Sequence, residues 1–125
     1  MSDMDNRAIS DFMKGLLPDF FTLFQNLRRV HPGWDEREFS LNIMEFGRGQ
    51  YSGVEQFRQS DVALMNHFVD SLDYDNDLNM VFAAYCAGCL LGLEQSGKID
   101  QARLGAMLGE AVTYIKTMEL QSLNE

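Results

Sequence analysis

The sequence predicts an all-helical domain, a bundle of five or six short helices around a central apolar one. Three observations predict it. Apolar residues recur three and four apart through most of the chain, which is the period of one helical face. Only two prolines interrupt the 125 residues. Finally, the 14 residues from Met80 to Leu93 are apolar almost all round, yet a bilayer span takes roughly 20. That stretch reads as a buried central helix.

The first helix carries Ile9, Phe12, Met13, Leu16 and Leu17, then Phe20, Phe21, Leu23, Phe24, Leu27 and Val30. Pro18 falls inside this run. Its ring and missing N–H disturb the preceding turn, so a break or kink is expected there although the apolar phase survives across it. His31-Pro32-Gly33 stops the helix. Asp35 and Glu38, three apart, can help cap a second helix through Phe39, Leu41, Ile43, Met44 and Phe46. Phe39, Leu41 and Ile43 also alternate as a short strand would. No partner strand is evident, and a lone strand leaves its backbone groups unpaired, which decides for helix. Gly47-Arg48-Gly49 is expected to end it.

Ser52-Gly53-Val54-Glu55 places glutamate three residues after serine, a capping box. The helix it opens carries Val54, Phe57, Val62, Met65, Phe68, Val69 and Leu72, with Ser60-Asp61 as a candidate interruption. In Asp73-Tyr74-Asp75-Asn76-Asp77, short polar side chains can satisfy the first N–H groups of the helix from about Leu78 to Gln95. Ser96-Gly97-Lys98 closes that helix. Asp100 caps the last one, whose buried face is Leu104, Met107, Leu108, Ala111, Val112, Ile115 and Met118.

Glycine inside a helix costs about 1 kcal/mol relative to alanine, so helical glycines need a reason. Ala84, Gly88 and Gly92 stand four apart, as do Gly105 and Gly109. Small residues at this spacing let two backbones approach closely, and the expected pair is the central and last helices. Room for an aromatic such as Phe20, Phe24 or Phe57 is the alternative.

A mass of 14.3 kDa suits one helical domain over residues 1–125, large enough to fold without a disulfide or metal staple. Hydrophobic residues at 46% exclude a disordered chain. Nineteen acids against ten bases give a net charge of -9, which argues against direct nucleic-acid binding. The N-terminus carries acids where a signal peptide carries a basic region, and no membrane segment is read. With two cysteines, Cys86 and Cys89, a disulfide scaffold is not indicated, and the expected address is cytoplasmic.

Candidate chemistry is sparse. Cys86-Ala87-Gly88-Cys89 has the spacing of a redox pair or half a metal site, but it lies inside an apolar helix with no preceding strand and no second pair. Both thiols are expected in the core. Asp73, Asp75 and Asp77 open like a calcium loop, yet Leu78 stands where the turn needs glycine and Ala84 where a glutamate should close the shell. His31 and His67 have no convergent partners, and Gly47 to Gly53 lacks either phosphate-loop signature. No cofactor, metal or catalytic group is therefore assigned.

Charge distribution says more than any motif. Residues 1–62 hold ten acids and seven bases, a net of -3, whereas residues 63–125 hold nine acids and three bases, a net of -6. No lysine or arginine occurs between Arg58 and Lys98. The leading expectation is a small acidic module that binds a protein, in particular a basic one, and neutralises or regulates it. Bacterial immunity proteins, antitoxins and phage-encoded inhibitors share this size and acidity, an analogy of class only. Asp70, Asp73, Asp75 and Asp77 would supply the field. Trp34, Arg48 and Tyr51 are the candidate anchors, because large aromatics and arginine concentrate binding energy at interfaces. The alternatives are a ligand-binding or enzymatic helical domain with an apolar pocket, and a self-associating subunit such as a homodimer.

Overall fold

The three-and-four spacing is realised as helix throughout the residues described by the computed structural model, 2–52, 59–72 and 77–116. Five helices result: α1 (Ser2–Val30), α2 (Glu36–Ser52), α3 (Gln59–Ser71), α4 (Asp77–Gln95) and α5 (Gln101–Ile115). They form an all-α bundle with α4 at its centre. Every residue from Val81 to Gly92 is buried, and one apolar cluster draws side chains from all five helices. By length and composition Leu78–Gln95 could cross a membrane, but 72% of that window is buried inside the bundle, as in a core helix.

Aromatic rings tie the centre to one end of the molecule. Phe20 of α1 lies 4.9 Å from Phe82 and 5.8 Å from Phe24 between ring centroids. Phe24 in turn meets Phe39 of α2 at 5.4 Å, and Phe39 meets Trp34 edge-on at 5.5 Å. Such tilted contacts suit the ring quadrupoles. At the start of α4, Asn79 Nδ2 donates to the carbonyl of Ile115, so α5 returns alongside α4.

The helix ends are set by local chemistry. Asp35 Oδ1 accepts from the Glu38 N–H at 2.8 Å, and Asp100 Oδ1 accepts from the Arg103 N–H at 2.7 Å. Both are expected caps. After α4, Gly97 takes φ +80° while its N–H donates to Glu94 and that of Lys98 to Leu93. This is the left-handed stop for which glycine is suited.

Several expectations are corrected. α1 passes through Pro18 as one helix, so of the expected break or kink the break does not occur. α3 includes Ser60 and Asp61 without interruption. α2 does not end at Gly47-Arg48-Gly49 but continues to Ser52. Its glycine is a contact surface: a Cβ on Gly47 would stand 2.9 Å from the Tyr85 carbonyl oxygen and 3.1 Å from the Cys89 nitrogen. A Cβ on Gly88 would overlap the Met44 carbonyl. The close crossing is therefore between α2 and α4. Gly105 and Gly109 of α5 are exposed, and a Cβ on either meets nothing within 4 Å. They do not pack against α4. Residues 53–58, which hold most of the expected capping box, lie outside the described residues, as does Met118.

Candidate functional site

Among the described residues, the predicted site residues do not form one patch. Trp34 sits in the turn between α1 and α2, while Tyr51 stands near the far end of α2. The helix between Glu36 and Tyr51 measures roughly 22 Å at 1.5 Å per residue. Asp73 and Asp75 lie outside the described residues, and Asp77 is the first residue of α4.

Arg48 is a correction to the expected contact patch. Its side chain is only 1% exposed. Nε donates to Glu45 Oε2 at 2.8 Å and Nη2 to Glu45 Oε1 at 2.7 Å, a bidentate fork. Nη1 reaches Gln95 Oε1 at 2.9 Å, joining α2 to the end of α4. The guanidinium holds the fold together from inside and offers no surface to a partner. Tyr51 is half-buried, and burial pushes its phenol up, with Cys89 and Asp19 adding to the shift.

Where α1 turns into α2, Trp34 and His31 stack face to face, with centroids 3.9 Å apart and planes 6° from parallel. Three residues on, Arg37 crosses from α2 to α3. Its Nε donates to Asp70 Oδ1 at 2.8 Å, and its Nη2 donates to Asp70 Oδ2 at 3.3 Å and to Asn66 Oδ1 at 2.8 Å. The hydrogen bonds from Arg37 hold the Asp70 carboxyl below its usual range, and His67 contributes a smaller lowering. Both partners are solvent-exposed, so the pair is weakly held and exchangeable. The predicted residues Trp34 and Asp70 thus belong to the same end of α2. Arg37 and the His31 stack were not foreseen: a pair 33 residues apart leaves no sequence signal.

α3 is thinly covered. Of its described side chains only Met65 and Val69 are buried, while Val62 and Leu64 are 43% and 44% exposed. Leu64, Phe68 and Leu72 follow at helical spacing as a half-exposed apolar row leading toward the acidic run.

The cysteine pair behaves as expected of core residues. Cys86 and Cys89 are both free and fully buried. Burial pushes the Cys86 thiol well up and that of Cys89 to about 12. Neither is poised as a thiolate nucleophile. Tyr85, also raised by burial, donates its hydroxyl to Gln50 Oε1 at 2.9 Å. His67 is exposed on α3. Among the described residues, no three His, Cys, Asp or Glu side chains converge to hold a metal ion.

Comparison with protein-family models, curated proteins and solved structures finds no match to this chain.

Proposed function

We propose that this chain is a small acidic protein-binding module that docks a basic partner and regulates or neutralises it, in the manner of an inhibitor, antitoxin or immunity protein. The docking surface is α3 with the acidic stretch that follows it. One observation carries the reading: Asp70, exposed at the end of α3, already accepts a guanidinium in a two-pronged ion pair from Arg37. Arginine from a partner can use the same geometry, because bidentate pairing is how carboxylates recognise guanidinium. Leu64 and the half-exposed row behind it supply apolar anchoring beside the charge. Between Arg58 and Lys98 the sequence carries six acids and no lysine or arginine, and the exposed Arg37 is the cation a partner would displace from Asp70.

Affinity capture from native extract at low and at high salt tests it, with the wild-type chain and with a variant carrying Asp70→Asn, Asp73→Asn, Asp75→Asn and Asp77→Asn. A stoichiometric basic protein that binds the wild type, weakens with salt and is lost with the variant is the expected result. Equal capture by the two chains, or no protein at either salt, overturns the reading.

A further inference from the structure

Val62, Asn66 and Asp70 stand four apart on α3, so one face of that helix carries all three. The Asn66 amide is fixed in one sense. Its Nδ2 donates to the Val62 carbonyl at 2.9 Å, and its Oδ1 accepts from Arg37 Nη2 at 2.8 Å. Asp70 takes Nε on one oxygen at 2.8 Å and Nη2 on the other at 3.3 Å. Three acceptor atoms on one helix thus match three N–H groups of one planar guanidinium. A lysine ammonium has no such fork and meets these acceptors only as a point charge.

The acceptors do not depend on the arginine that now fills them. The bond from Asn66 to Val62 is internal to α3 and stays when Arg37 leaves. The Arg37 and Asp70 side chains are 48% and 57% exposed, so their pair opens without disturbing the core. Exposed pairs of this kind hold weakly. Asp35 adds a second carboxylate's field at the Arg37 guanidinium, so negative charge is in excess around the seat. Val62, one turn before Asn66, is 43% exposed and offers an apolar contact on the same face.

We propose that Asn66 and Asp70 form an arginine-selective subsite, and that Arg37 is its built-in competitor. The occupant is an arginine side chain of a partner protein, with an aliphatic residue beside it to cover Val62. This inference rests on the reading of α3 as the docking surface, and adds which cation is chosen and what holds the site closed. A partner's arginine enters only when Arg37 has left, so the apparent affinity is lowered by the fraction of molecules in which Arg37 is seated. Removing Arg37 should therefore tighten binding, the reverse of what losing a contact residue does.

Titration of the full chain, followed by nuclear magnetic resonance, tests the proposal with two probes. One is a capped peptide of three arginines among leucines and alanines; the other is the same peptide with three lysines. The arginine peptide should bind the wild type more tightly and shift the Arg37 Nε–H resonance to its position in Asp70→Asn. Arg37→Gln should tighten the arginine peptide by about threefold, the scale set by an exposed pair. Lys98→Gln, which removes the same charge at the other end of α4, controls for net charge and should leave the affinity within about 1.5-fold. Asn66→Ala, placed in the Arg37→Gln chain, changes no charge and should erase the preference for arginine over lysine. Unchanged or weaker binding by Arg37→Gln overturns the proposal, as does an equal gain from Lys98→Gln. So does equal affinity for the two peptides, or no binding of either. If one of these results stands while the four Asp→Asn changes still abolish capture of a basic protein, this inference falls and the α3 docking surface remains.

Discussion

Gly88 of α4 lies directly against the backbone carbonyl of Met44 in α2, so closely that a Cβ on Gly88 would overlap it. Nearby, Gly47 meets the Tyr85 carbonyl oxygen and the Cys89 nitrogen. Two helices thus touch backbone to backbone, the closest approach side chains ever permit. The opposing groups are backbone atoms, which cannot swing aside as the end of a long side chain could.

Glycine substitutions should therefore split by sign. Gly88→Ala should destabilise by about 3 kcal/mol, and Gly88→Leu should leave no cooperative fold, because the crossing cannot widen without opening the core. Gly105→Ala and Gly109→Ala should each stabilise by about 0.5–1 kcal/mol, since both positions are helical with free space around them. Denaturant midpoints measure all four.

Arg48→Ala should cost about 2–3 kcal/mol, through lost packing and charge-assisted hydrogen bonds, because the Glu45 left behind is partly exposed and can be solvated. Glu45 and Gln95 would each lose their guanidinium. Arg48→Lys should recover little, because an ammonium cannot span Glu45 and Gln95 with the same fork. Arg37→Gln, removing the exposed pair, should barely move the midpoint. Urea titrations of the three variants provide the comparison.

Alkaline pH should unfold this protein through its buried thiols. Below the ordinary thiol value of 9.0 both folded and unfolded chains keep the proton, so the stability is intact. Above it the unfolded chain releases the proton, whereas Cys89 in the fold retains it until about 12. Stability should fall with rising pH across that window, by about 1.4 kcal/mol per pH unit for each such thiol. Cys86 adds to the slope, and Cys89→Ala should reduce it. The same burial predicts that a thiol reagent labels neither cysteine in the native protein and both in denaturant.

Trp34 is the single tryptophan, and its ring is stacked on that of His31. His31→Ala removes the ring stacked on the indole, so it should change the native protein's tryptophan emission while leaving the helical circular dichroism unchanged.

The architecture was largely legible because it rests on local rules. Spacing gave α4 to within a residue, and Asp35 and Asp100 announced their caps by standing just before apolar-periodic runs. Punctuation misled where a contact outranked it. Gly47 and Gly49 look like a stop, but α2 gains the backbone of α4 at Gly47 and continues. The site was less legible for the same kind of reason. Arg48 has the composition of an exposed anchor, and only the position of Gln95, 47 residues away, reveals it as an interior brace.

By itself the sequence determined that this chain is helical, acidic and organised about Leu78–Gln95, because periodicity, capping and net charge are properties of neighbours along the chain. Tertiary structure alone decided which helices touch at glycine, which cation Asp70 holds, and that Arg48 is buried inside the bundle. Those outcomes depend on residues far apart in sequence competing for one volume, and no local pattern records which of them wins.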